Sequence, residues 1–240
     1  MSVVKDVINS FDSSDELAQV QKEAVEALAA LGNSKAEVFK MEIQESLMSA
    51  GNGTNLTVPV SAVLRSLVDV RAYSSTESGH IGDVVKNALS SFIKGTSESI
   101  IDGLGSLISE TLSVFLGSAS ASTGTIEEYY VATEGLSIVR VDMKAWYLNV
   151  SSSSIKQKME RITAVVAVKS VVDLAKIDFS TFLNLYQQQL LESGMDRQQL
   201  KDALQEAKDI YNDFKNLPKS DLIEKPKQVI TPPAARRLLQ

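Results

Sequence analysis

A chain of 240 residues with 44% hydrophobic and 22% charged residues is long enough to bury a sizeable core and too apolar for a disordered ensemble. Its 24 basic and 30 acidic residues leave a formal charge of −6, which excludes a general nucleic-acid binder and gives no electrostatic pull towards anionic lipid. The absence of cysteine removes disulfides, thiolate nucleophiles and sulfur-ligated metal centres.

The opening MSVVKDVINSFDSSDE has no basic segment leading into an apolar one, so no signal peptide is read, and no apolar run reaches the roughly 18 residues of a membrane span. The expected location is the cytoplasm of the producing cell, with export by a route that needs no signal peptide as the alternative. Ser13 and Glu16 have capping-box spacing, and Leu17, Val20, Ala24, Leu28 and Leu31 recur every third or fourth residue. They predict a first helix, ended by Gly32. A second is predicted from Asn33, with Val38, Phe39, Met41, Leu47 and Met48 apolar, ending at Gly51. Helices joined by so short a break should pack antiparallel. NGTNLT reads as a loop, and Pro59 as the start of a shorter helix over Val60–Tyr73.

Beyond a serine-rich turn at 74–79, helices are predicted over 81–94 and 97–117, separated by Gly95. The pattern then changes. In LSIVRVDMKAWYLNV, Val139, Val141, Met143, Ala145 and Tyr147 alternate with Arg140, Asp142, Lys144 and Trp146, giving a strand with one apolar and one mixed face. EEYYVAT before it is rich in strand formers, and Glu134-Gly135 can turn between the two, so a β-hairpin is predicted over 126–150. The run ITAVVAVKSVVDL has strand propensity, but KQKMER and DLAK on its flanks favour a helix over 155–176. Asp178 or Ser180 caps the next helix, which carries Phe182, Leu183, Tyr186 and Leu190 and stops at Gly194. MDRQQLKDALQEAKDIYNDFKNL is an amphipathic helix ending before Pro218. The expected fold is mainly α, a multi-helix bundle with one β-hairpin inserted between helices: a single domain over 1–217, then a proline-punctuated tail over 218–240.

Catalytic patterns fail one by one. His80 is the only histidine, and nothing around it supplies a relay partner. Ser91 to Lys94 and Ser153 to Lys156 have the Ser-x-x-Lys spacing without its companion motifs. Gly103 and Gly105 begin a dinucleotide-type loop that lacks its third small residue and its preceding strand. Glu127 and Glu128 are adjacent on a predicted strand, so they point to opposite faces and cannot share a proton. No catalytic, cofactor-binding or metal-binding residue is predicted, and the chain reads as a non-enzyme.

The segment 97–117 remains. On a helix, Ile101, Leu104, Ile108, Leu112 and Phe115 form one apolar stripe, and Gly103 lies within a series of small residues that lets another helix approach closely. These six residues form the candidate membrane or helix-packing surface. At bilayer depth Asp102 and Glu110 would each cost about 2.5–3.5 kcal/mol, so insertion requires a wet or paired environment. A cysteine-free helical chain with such a helix beside an apolar hairpin resembles, in its organisation, the α-helical pore-forming toxins of bacteria. The matching parts are the helix 97–117 and the hairpin 126–150. The resemblance implies a membrane-active component or its accessory. The readings beside it are a soluble oligomeric assembly or adaptor protein packing through the small-residue helix, and a carrier of an apolar ligand. The expected partner is a protein or a second copy, with membrane contact on the toxin reading, and without nucleic acid, metal or cofactor.

Overall fold

The computed structural model describes Ile8, residues 16–73, Phe92, 98–117, 121–134, 137–152, Ile155, 159–192 and 194–216. Four strands, β1 (Val60–Tyr73), β2 (Thr123–Glu134), β3 (Ser137–Asn149) and β4 (Arg161–Val172), form one antiparallel sheet in the order β1-β4-β3-β2. Among the described residues four helices accompany it: α1 (Glu16–Ser49), α2 (Glu98–Gly117), α3 (Phe179–Glu192) and α4 (Arg197–Asn216). The expected mainly α multi-helix bundle is therefore overturned, because two of its predicted helices are strands. The predicted helix 81–94, the tail 218–240 and His80 lie outside the described residues.

The largest correction is β4. Its residues RITAVVAVKSVV form a central strand between β1 and β3, and all but Val171 are buried. A strand covered on both faces has no polar side to alternate, so it reads as a continuous apolar run and lacks a period-two signal. Here the propensity of Val, Ile and Thr prevails over the charged flanks. The second correction is β1. Its Val60, Val63, Leu64, Leu67 and Val68 follow helical spacing, yet the segment pairs with β4 from Val60↔Val172 to Tyr73↔Arg161. Pro59 precedes a strand rather than opening a helix, a position where its missing N–H is tolerated.

The third correction concerns α1, which runs unbroken through Gly32 for 34 residues instead of forming an antiparallel pair. A Cβ on Gly32 would lie 2.9 Å from both Ile162 Cδ1 and Val70 Cγ1. Gly32 is thus a point of close approach between the helix backbone and the sheet, and not a terminator. The hairpin does form as expected: β2 and β3 pair from Thr123↔Leu148 to Glu134↔Ser137.

Both faces of the sheet are covered. On one, Val25, Ala29, Ala36, Phe39, Ile43 and Leu47 of α1 pack on Trp146, Ile162, Ala164, Val166 and Val168. On the other, Ile108, Leu112 and Leu116 of α2 pack with Tyr130, Val139, Val141, Met143, Ala145, Val165 and Ala167. A third cluster joins Phe182, Tyr186 and Leu190 of α3 and Ala203, Ala207 and Ile210 of α4 to Val131, Ile138 and Val172. Asp178 caps α3 by accepting from the Thr181 N–H at 3.3 Å, and Asp196 caps α4 by accepting from the Gln198 and Gln199 N–H groups at 2.8 and 2.9 Å.

Candidate functional site

The predicted surface on 97–117 lies on α2. Ile108 and Leu112 are fully buried against the sheet, and Phe115 packs partly buried beside them, its ring 5.2 Å edge-on from that of Tyr147. Ile101, Gly103 and Leu104 sit on the helical backbone nearer the start of α2. Arg161 holds the far end, donating to the Leu116 carbonyl and, at 2.6 Å, to Asn149 Oδ1. A cation there complements the negative end of the helix dipole. The described apolar face of α2 is thus taken up by the protein's own sheet. Among the described residues, no helix is long and apolar enough to cross a membrane.

The alternation on β3 leads to a second feature. Arg140, Asp142 and Lys144, expected on a mixed face, are all buried. They lie between Ile138, which packs with α3 and α4, and Trp146, which packs with α1. Arg140 donates to both carboxylate oxygens of Asp142 and, at 2.7 Å, to the Val58 carbonyl, while its guanidinium lies 4.3 Å from the Tyr129 ring centre. Burial pushes the Asp142 carboxyl above its ordinary value, against the opposing pull of the Arg140 hydrogen bond and charge. Lys144 reaches Glu42 of α1 at 2.7 Å and Glu127 of β2 at 2.8 Å. Burial alone would lower the Lys144 ammonium, but its hydrogen bonds to Glu127 and Glu42 carry it above its usual value. On the opposite sheet face Lys169 pairs with Glu134. Each of these charges meets its opposite, which locks α1 and β2 in register on β3.

The surface features that stand out are two that sequence reasoning missed. Val20, Leu31, Val38, Met41 and Met48 of α1 are exposed, Met41 at 59% and Met48 at 77%. With Ala24, Ala27, Ser34 and Glu45 they occupy every a and d position of a heptad repeat from Val20 to Met48. The residues facing the sheet fall on the opposite side, so α1 carries two apolar stripes back to back. The signal was in the sequence, but splitting the helix at Gly32 hid it. The other feature is the outer edge of β1, where Val63, Leu64 and Val68 are each about half exposed. A concavity of about 360 Å³ between α3 and α4 is lined by Leu183, Leu204, Lys201 and Lys208 among others, and holds no acid–base pair.

Glu127 and Glu128 do lie on a strand, pointing to opposite faces, and Glu127 serves Lys144. Ser91, Lys94, Ser153 and Lys156 fall outside the described residues. No group of side chains among the described residues could hold a metal ion. No family model, curated protein or solved structure matches this chain.

Proposed function

We propose that the protein is a non-enzymatic assembly or adaptor component that works by presenting the outer stripe of α1 to a helix of a partner protein. The observation that supports this is the second apolar stripe. A helix packed on a sheet needs one apolar face, and the exposed Val20, Leu31, Val38, Met41 and Met48, all at a or d positions of one heptad series, are not required by the fold. A seam repeating every 3.5 residues is matched by another helix, since it drifts by about 20° per heptad around a straight helix and favours a partner that winds with it. The reading moves the packing surface from the small-residue face of 97–117 to α1. The toxin-type alternative would require α2 to leave the sheet and expose Ile108 and Leu112.

A photo-reactive residue placed at Met41, and a control placed at exposed Asp209 of α4, tests the proposal in the cell that makes the protein. The expected result is one discrete protein adduct from position 41, absent from position 209 and abolished by Val38→Glu, with the melting temperature unchanged. Adducts to lipid, together with dye release from neutral liposomes by the purified protein, would favour the membrane reading instead. The absence of any adduct specific to position 41 would remove the assembly reading.

A further inference from the structure

A different surface carries a second interaction. β1 is 14 residues long and, among the described residues, has a neighbour only on its β4 side. Among the described residues no strand takes up the backbone N–H and C=O groups along its other side from Arg65 to Ala72. Protective devices are sparse: the strand contains neither proline nor lysine, and its irregularities are confined to Val60/Ala62 and Val63/Arg65. From Arg65 to Tyr73 its register with β4 is unbroken. Val63, which pairs with Ser170, and Val68, which pairs with Val166, are exposed on the α1 side of this edge, and Leu64 is exposed at the irregularity between Val63 and Arg65, so apolar surface accompanies the open backbone.

We propose that β1 pairs antiparallel with β1 of a second copy about a two-fold axis at Leu67, joining two sheets into one. The charges select this register. It sets Arg65 opposite Asp69 of the second copy, and by symmetry Asp69 opposite Arg65, so two ion pairs flank the axis. Sliding by two residues one way sets Arg65 against Arg71 of the second copy, and the other way against Leu67. Paired residues keep the same face, so Ser66 meets Val68 on the α1 side, which covers the exposed edge. Asp69 already accepts from Arg71 at 2.7 Å, and its carboxylate has lone pairs left for a second arginine.

Sedimentation equilibrium of the full chain should show a dimer. Arg65→Asp places acid against acid at both ends of the axis, and Asp69→Arg places base against base. Each should weaken dimerisation by at least about tenfold. Mixing the two variants restores an opposite charge at each end and should give a heterodimer of near wild-type affinity. Arg65 is exposed, with its guanidinium 5.9 Å from the Phe92 ring centre, so Arg65→Asp should still fold, as a cooperative thermal transition would show. If that folded variant dimerises as the wild type does, the proposal fails whatever happens to Asp69→Arg. A wild type that stays monomeric at roughly 100 μM also overturns it. Dimerisation lost in Met41→Glu and kept in Arg65→Asp would assign the contact to α1, refuting the β1 pairing while leaving the proposed function standing.

Discussion

Arg140 has 1% of its surface exposed, and its enclosure decides what a substitution there would do. Removing the guanidinium leaves Asp142 as a buried carboxylate without its counter-charge, so Arg140→Met should cost about 3–5 kcal/mol, while Arg140→Met/Asp142→Leu should recover most of that loss. The deficit should also depend on pH. Burial already raises the Asp142 carboxyl, and loss of Arg140 raises it further. A raised pKa in the folded state contributes stability below the unfolded-state value and loses it as the pH climbs through the folded one. The Arg140→Met deficit, read by urea denaturation, should therefore be largest at pH 7, shrink as the pH falls, and be smallest below about pH 4, where the carboxyl is protonated in the folded and the unfolded chain alike. Equal deficits at both would mean that Asp142 is not the group left uncompensated. At this scale the sequence was half legible. Alternation separates Val141 from Arg140 correctly. It cannot show that both faces are buried, because Glu42, which pairs with Lys144 from α1, lies far along the chain.

Elements were legible where their signals are local and were missed where a neighbour decides. The cap at Asp178, the amphipathic pattern of α4 and the period-two hairpin all act within a few residues, and α2, α3, α4, β2 and β3 were read accordingly. β4 became a strand because β1 and β3 flank it, and α1 continued through Gly32 because Ile162 and Val70 need that space. The seat of α1 can be tested at that glycine. In an ordinary helix interior Gly→Ala gains about 1 kcal/mol from propensity. At Gly32 the new methyl would meet Ile162 and Val70 at 2.9 Å, so Gly32→Ala should fall well short of that gain, and Gly32→Leu should cost about 1–3 kcal/mol or more. Ser34→Ala, on the exposed side of the same helix, should show its ordinary gain of about 0.5 kcal/mol. A full gain at Gly32, measured in the same denaturation series, would show that the helix does not sit on the sheet as described.

For the molecule as a whole, the least legible feature is the pairing that closes the sheet. β2, β3 and β4 follow one another as an antiparallel meander, whereas β1 crosses α2 and the hairpin in sequence before it meets β4. No local pattern in Val60–Tyr73 announces a partner at Arg161–Val172. The same separation should govern the order of folding, since contacts that close long loops lose chain entropy before they gain anything. The meander should therefore form in the transition state, and β1 should dock after it. Val141→Ala, at the buried centre of β3, should chiefly slow folding. Val70→Ala, buried on β1 beneath α1, should chiefly speed unfolding and leave the folding rate nearly unchanged. Each substitution must destabilise by more than about 0.6 kcal/mol for its ratio of kinetic to equilibrium effects to be interpretable. Stopped-flow chevrons in urea would measure both. A β1 strand that docks last leaves the edge of β4 open during folding, and its own edge becomes available for pairing with another copy only once it has docked. A Val70→Ala ratio as high as that of Val141→Ala would place β1 in the nucleus, and the strand that offers the open edge would then be among the first parts of the sheet to form.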